Sequence, residues 1–174
     1  FNIEGFGKKI VENFWSLNLI RLPQDIFKLD YTKVENLDGW GRQSVANLKY
    51  SINLRKTISF EKFIYALGIR HIGLENAKII SKNLKSLKNF IILSKKNNFD
   101  DLLNIDGIGE TQINSIKNSF ANSTNMKVLK ELEKELIVKD AKIQKINGLL
   151  NNKTFMLTGK LDGISRAEAK SLIE

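Results

Sequence analysis

Apolar residues recur at fixed distances from a glycine in four stretches of the chain. One apolar residue lies four positions before the glycine, and two more lie four and seven positions after it. The two later positions share one face of a helix, so the pattern predicts a helix with a buried face directly after each glycine. The four sets are Ile3, Gly7, Val11 and Phe14; Leu37, Gly41, Val45 and Leu48; Ile69, Gly73, Ala77 and Ile80; and Ile105, Gly109, Ile113 and Ile116.

A tight turn is predicted just before each of these helices. Gly5, Gly39 and Gly107 lie two positions before the closing glycine, and glycine favours turns because it adopts positive φ. In the third stretch His71 takes this place, with Gly68 upstream, and histidine tolerates a left-handed conformation better than most residues. Even so, we expect this loop to differ in detail from the other three. The residue between the two positions is always apolar, and we expect it to point inward: Phe6, Trp40, Ile72 and Ile108. An exposed Trp40 that stacks on a base is the alternative.

Three of the turns also follow a predicted helix. The segments are "PQDIFKL" before the second turn, "SFEKFIYAL" before the third and "NFDDLL" before the fourth. Pro23 and Ser59 are helix-start signals. The first turn has no such helix because the chain begins at Phe1, and there is no initiator methionine. We therefore expect this chain to be a piece of a longer protein.

After the fourth unit, Met126, Leu129, Leu132 and Leu136 have the spacing of one helix face. We expect this helix to pack against the preceding array rather than on a membrane. "INGLLNN" is typical of a linker, "KTFMLTGKL" of a strand, and "SRAEAKSLIE" of a helix capped by Ser165. The predicted organisation is therefore residues 1–122 as four turn units, 123–150 as an amphipathic helix and linker, and 151–174 as an incomplete α/β domain.

The charge and composition of the chain limit the kinds of partner and site that it could have. The 174 residues carry 28 Lys plus Arg against 19 Asp plus Glu, a formal net charge of +9. This excess favours a polyanionic partner, although an AT-rich genome, which also enriches Asn and Ile, explains part of it. The chain has no cysteine, which excludes disulfides and thiolate metal sites within it. It has no apolar run of about 18 residues that could span a membrane, and its first residues do not show a signal-peptide pattern.

The turns suit an anionic ligand. Each leads into a helix N-terminus, where the first amides have no intrahelical partner and the helix dipole favours negative charge. Lys8, Lys9 and Arg42 follow the first two turns, whereas Glu75 and Glu110 follow the later ones, so we expect the first pair to bind more tightly. The residues predicted to bind this polyanion, either nucleic acid or an anionic membrane on charge alone, are Gly5, Phe6, Gly7, Lys8, Lys9, Gly39, Trp40, Gly41, Arg42, Arg70, His71, Ile72, Gly73, Gly107, Ile108, Gly109 and Thr111.

Two apparent catalytic signals are rejected. His71 is the single histidine, and acids or cysteines at ligand spacing are missing around it, so a turn residue or phosphate contact is the favoured interpretation. "KLDG", Lys160–Gly163, matches the active-site motif of nucleotidyltransferases, but a four-residue match often arises by chance and only eleven residues follow it, so we expect a loop after the predicted strand instead.

The repeated unit of helix, Gly-apolar-Gly turn and helix resembles the helix-hairpin-helix motif of DNA-binding proteins, and "KTFMLTGKL" with "SRAEAKSLIE" resembles the start of a BRCT domain. Together with the opening "NIEGFG" and with "ALGIRHIG" in the third unit, this order closely resembles bacterial NAD-dependent DNA ligases. The resemblance implies a mainly α fold: a tandem array of four hairpins in two pairs, the first incomplete, followed by a truncated α/β BRCT start.

The same resemblance implies binding of nicked double-stranded DNA across the minor groove, in a monomeric clamp at the bacterial nucleoid in the cytoplasm, during replication and repair. It places NAD, Mg²⁺ and a four-cysteine Zn²⁺ site upstream, so that no catalytic, cofactor or metal residue is expected in this chain. Two alternatives stay open: a base-excision glycosylase built on such hairpins, and a non-catalytic repair or recombination scaffold.

Overall fold

Eight α-helices make up most of residues 1–141, which together with Met156 are the residues described by this computed structural model. The helices are α1 (Lys8–Ser16), α2 (Tyr31–Glu35), α3 (Arg42–Leu54), α4 (Phe60–Ala66), α5 (Leu74–Leu84), α6 (Leu87–Lys96), α7 (Glu110–Ala121) and α8 (Ser123–Glu135). Two 3₁₀ helices, Pro23–Lys28 and Asp100–Asn104, and two strands, β1 (Thr57–Ser59) and β2 (Ile137–Lys139), complete the set. The mainly helical class is confirmed for these residues. The predicted linker, the BRCT start and the "KLDG" tetrapeptide lie outside the described residues.

Four helices begin where the glycine spacing predicts. α1, α3, α5 and α7 each start at the residue after a closing glycine. The side chains seven positions after those glycines are all buried, and those four positions after are buried or half-buried. The residues concerned are Phe14, Leu48, Ile80 and Ile116 in the first group, and Val11, Val45, Ala77 and Ile113 in the second.

The elements before the turns are more varied than predicted. Pro23 does begin a helix, but a 3₁₀ helix, and the short α2 separates it from the second turn. Ser59 precedes α4, and its hydroxyl donates to the Glu61 carboxylate at 2.6 Å. Before the fourth turn, "NFDDLL" forms the 3₁₀ helix Asp100–Asn104.

Helix α6 was not predicted, although its boundaries carry ordinary signals. Ser86 caps its N-terminus and accepts a hydrogen bond from the Asn89 amide at 3.3 Å. Lys95 and Lys96 lie in its last turn, and Asn97 ends it in the left-handed conformation at φ 48°. The added helix lengthens the segment between the third and fourth turns.

The predicted helix face extends to Leu136, whose amide still donates to the Leu132 carbonyl at 3.0 Å. α8 stops at Glu135, although the Leu136 side chain is still buried. The next residues form β2, which pairs in parallel with β1 in the register Thr57 to Ile137. The Ile137 amide donates to the Lys56 carbonyl at 2.7 Å. From Ile137 onward, the backbone hydrogen bonds are therefore made to a distant strand instead of along a helix.

Helix α8 is held to the rest of the described unit by ion pairs on one side and by buried leucines on the other. The Lys28 ammonium, at the end of the first 3₁₀ helix, lies 2.9 Å from a Glu131 oxygen and 3.4 Å from a Glu135 oxygen. On the apolar side of α8, Leu129 and Leu132 are fully buried in the core. As predicted, the helix packs against the array.

Aromatic rings fill the core around the later units. Phe90, on α6, has its ring centroid 6.1 Å from Phe60, 5.8 Å from Phe99 and 5.5 Å from Phe120. These partners belong to α4, to the residue before the second 3₁₀ helix and to α7. Edge-to-face and tilted ring packing of this kind holds the elements around the third and fourth turns in one body.

Candidate nucleic-acid interface

Four turns with the same hydrogen bond precede α1, α3, α5 and α7. In each, the amide of the residue before the closing glycine donates to the carbonyl three residues earlier. The four bonds run from Phe6 to Ile3 (3.2 Å), from Trp40 to Leu37, from Ile72 to Ile69 and from Ile108 to Ile105 (each 3.1 Å). The third residue of each turn has a positive φ, as a type II turn requires.

That third residue is glycine in three turns and histidine in one. The φ angles are 72° at Gly5, 81° at Gly39, 62° at His71 and 86° at Gly107. His71 thus adopts the left-handed conformation that histidine tolerates. The expectation that this loop differs in detail from the others is wrong for its φ angle and its turn hydrogen bond, which match those of the glycine turns. Gly68, the upstream glycine of that unit, is also left-handed at φ 65°, but it follows α4 and belongs to the end of that helix.

The closing glycines are N-caps with extended backbone. Gly7, Gly41, Gly73 and Gly109 have φ between −114° and −78° and ψ between 168° and 179°. Each carbonyl accepts the first helical hydrogen bond, from the residue four positions later. Glycine brings no side chain to cap the first amides, and all four glycines are exposed. An incoming anion can therefore approach the helix N-terminus closely.

The fourth junction differs from the other three because one of its backbone amides already has a side-chain partner. The Gly109 amide donates to the Gln112 side-chain oxygen at 3.2 Å, in the manner of a capping box. A phosphate bound there would have to displace this side chain. Gln112 was not predicted as a site residue, although its position three residues after the N-cap is the usual signal of a capping box.

The residues between the turn glycines point inward. Ile72 and Ile108 are buried. Phe6 and Trp40 are half-buried, and their ring centroids lie 5.7 Å and 5.5 Å from that of Phe14 on α1. The inward orientation is therefore confirmed, with part of the Trp40 surface left exposed.

The turns make contacts that join neighbouring units. Phe14 of the first unit packs against Trp40 of the second. A β-carbon added to Gly107 of the fourth turn would lie 2.8 Å from Ile79 Cδ1 on α5, the helix of the third unit. The first unit therefore packs on the second, and the third on the fourth.

Basic side chains flank the first two junctions. Lys8, Lys9 and Arg42 are exposed in the first turns of α1 and α3. Lys8 forms an ion pair with Glu12 at 3.7 Å, and Arg42 with Glu35 at 3.3 Å. Such exposed pairs contribute little to stability, so these cations can exchange their partners for a phosphate.

The turns themselves differ in charge in a way that the sequence prediction overlooked. An acid precedes the left-handed residue in three turns, namely Glu4, Asp38 and Asp106, whereas Arg70 precedes His71 in the third. Arg70 and His71 are exposed, as is Thr111 beside the fourth turn. Positive charge therefore lies after the first two turns but within the third.

Residues 1–141 and Met156 carry neither a metal cluster nor a membrane-spanning helix. This part of the chain contains no group of three or more His, Asp or Glu side chains placed to hold a metal ion. With no cysteine in the sequence, these residues do not fit the four-cysteine zinc site of the resemblance. None of the helices described is long and apolar enough to cross a bilayer.

The chain is similar to one known motif family and to several known proteins. Residues 62–129, which include the third and fourth turns, match the helix-hairpin-helix motif family. The chain is similar to the DNA ligase of Pelagibacter ubique, with 68% identity over all 174 residues, and these cover 26% of that protein. The DNA ligases of Rickettsia canadensis and Rickettsia bellii are 42% and 40% identical over 99% of the chain and 27% of their own length. The chain is therefore similar to DNA ligases along its whole length, and it spans about a quarter of the length of these curated relatives.

Proposed function

We propose that this chain binds duplex DNA through the sugar-phosphate backbone, whatever the base sequence, as the DNA-binding part of a ligase. The enzyme would use NAD to join 5′-phosphate and 3′-hydroxyl ends at nicks in replication and repair at the bacterial nucleoid. The observation that carries this proposal is the recurrence of one turn-and-helix junction, with the same hydrogen bond, before four helices of a chain with net charge +9.

The geometry favours phosphate over base recognition. Exposed amides at a helix N-terminus bind an anion through the main chain, and contacts to phosphates fix position without reading sequence. Lys8, Lys9 and Arg42 add side-chain charge beside two of the junctions. Because the units pack as first with second and third with fourth, each pair could hold both strands across a minor groove, as the helix-hairpin-helix resemblance implies.

Binding of this kind would serve nick joining by positioning. The two DNA ends must be held in line at any sequence, and contacts to phosphates away from the nick can supply that alignment. We assign to this chain the holding of the duplex and not the joining step. Its similarity to DNA ligases along its whole length favours this proposal over the glycosylase and scaffold alternatives.

The salt dependence of duplex binding tests the proposal. If about four to eight phosphates are neutralised, log affinity should fall with log salt with a slope of about −4 to −7, equally for duplexes of unrelated sequence. A slope near −1, or no binding at low salt, would contradict it. Incubation of the chain with NAD, Mg²⁺ and nicked DNA should yield no sealed product, and sealing would disprove the non-catalytic assignment.

A further inference from the structure

An open groove of about 660 Å³ lies between the first turn and α3. Gly5 of the first turn and Gly39 of the second both line it, so the groove adjoins two of the junctions assigned to phosphates. Two aromatic side chains also line it: Trp40, which is half-buried, and Tyr50, which is 66% exposed. The groove therefore offers an accessible aromatic face beside the main-chain anion sites.

The charge of the groove is unlike that of its surroundings. Among the ten described residues that line it there is no lysine or arginine, and the one ionisable acid is Glu4. A phosphate inside the groove would find no cation among these ten residues. The basic residues Lys8, Lys9 and Arg42 follow the two turns in sequence instead of lining the groove. The groove thus suits a neutral group whose neighbours are anionic.

The remaining lining combines apolar and hydrogen-bonding surface. Leu48 and Ile10 contribute aliphatic carbon, while Ser44, Asn47 and Ser51 form a strip of small polar side chains along one face of α3. Asn47 accepts a hydrogen bond from Gln43 through Oδ1 at 2.9 Å, which leaves its Nδ2 group able to donate to a ligand. An aromatic wall with nearby neutral donors and acceptors is what a nucleobase needs.

We propose that this groove binds the nucleoside part of an unpaired nucleotide, with its base stacked on Tyr50, while the first two turns hold the neighbouring phosphates. The inference rests on the proposed duplex binding. A paired base presents only its edge to a protein, whereas an unpaired one can leave the stack and expose its ring face. Terminal nucleotides that fray at a nick, or single unpaired bases in a duplex, would be the ligands.

Binding of the full 174-residue chain to three otherwise identical duplexes tests this site. One duplex is intact, one carries a single unpaired base, and one carries an abasic residue at the same bulge, which keeps the flexibility but removes the base. The unsubstituted chain should bind the base-bearing bulge more tightly than the other two. Tyr50→Ala should weaken that binding roughly five- to 150-fold, the loss expected for one stacked base, without changing intact-duplex affinity.

Two further variants control the test. Tyr50→Phe keeps the ring and should retain the preference for the unpaired base. Tyr65→Ala removes another exposed tyrosine, which is 53% exposed on α4 and lies outside the groove, and it should change none of the affinities. Equal binding of the base-bearing and abasic bulges, or a preference that survives Tyr50→Ala, would overturn the inference while leaving duplex binding in place. Failure of the unsubstituted chain to bind the intact duplex would instead overturn the proposed function.

Discussion

Gly107 lies directly against Ile79, so that a β-carbon added to the glycine would stand 2.8 Å from Ile79 Cδ1. Gly39 holds the equivalent place in the second turn and faces open space, with nothing within 4 Å of such a carbon. Both have a left-handed backbone, at φ 86° and 81°. The two glycines therefore meet the same backbone requirement, but Gly107 also allows the fourth turn to pack on the helix of the third unit.

We expect Gly107→Ala to lower the free energy of unfolding more than Gly39→Ala does. Both substitutions place an alanine at positive φ, at a cost of about 1–2 kcal/mol. At Gly107 the end of the flexible Ile79 side chain must also shift, which adds at most about 0.5–1.5 kcal/mol. Denaturant unfolding of the two variants measures the difference. An equal or larger loss for Gly39→Ala would show that the contact with Ile79 carries no weight.

The salt dependence should distinguish lysines by position. Lys8→Ala combined with Lys9→Ala removes two charges beside the first turn, so the slope of log affinity against log salt should become shallower by about 2. Lys95→Ala combined with Lys96→Ala removes the same charge at the opposite, C-terminal, end of a helix and should leave the slope unchanged. If both pairs shift the slope equally, net charge and not the turn determines DNA binding.

Acid should weaken the attachment of α8 through Glu131. Its carboxylate accepts hydrogen bonds from Lys134 at 2.6 Å and Lys28 at 2.9 Å, and these bonds lower its pKa to about 2. Because the folded-state pKa lies below the ordinary value of 4.5, the stabilisation is complete above pH 4.5 and is lost as the pH falls towards 2. We expect Glu131→Gln to flatten this part of the profile of melting temperature against pH. Glu133→Gln, on an exposed position of the same helix, is the control, and an unchanged profile for Glu131→Gln would contradict the assignment.

Helix α8 should be part of the cooperative fold. Leu132 is 1% exposed, so Leu132→Ala should cost about 2–5 kcal/mol through lost burial and the cavity it leaves. Leu103→Ala, at a position that is 40% exposed, should cost far less. Chemical denaturation followed by circular dichroism measures both. A midpoint for Leu132→Ala that matches the unsubstituted chain would mean that α8 detaches without unfolding the rest.

The spacing of glycines and apolar residues in the sequence was sufficient to predict the turn-and-helix junctions. The starts of α1, α3, α5 and α7 and the buried positions such as Phe14 and Ile80 were all predicted from residues within a few positions of each other. Such features are local: glycine permits the turn, and apolar spacing of four and seven selects the buried helix face. Ser86 and Asn97 gave similarly local signals for α6, which the prediction did not use.

Other features depend on residues far apart in the chain, and only the tertiary structure decided them. The sequence predicted the helix face that ends at Leu136 but not the strand after it, because Ile137–Lys139 pairs with Thr57–Ser59, a partner that no short window contains. The ion pairs of Lys28 with Glu131 and Glu135, the contact of Gly107 with Ile79, and the groove between Gly5 and Tyr50 are of the same kind. A three-residue strand has too little intrinsic preference to form by itself, so its structure is determined by the hydrogen-bonding partner that packing of the whole unit brings beside it.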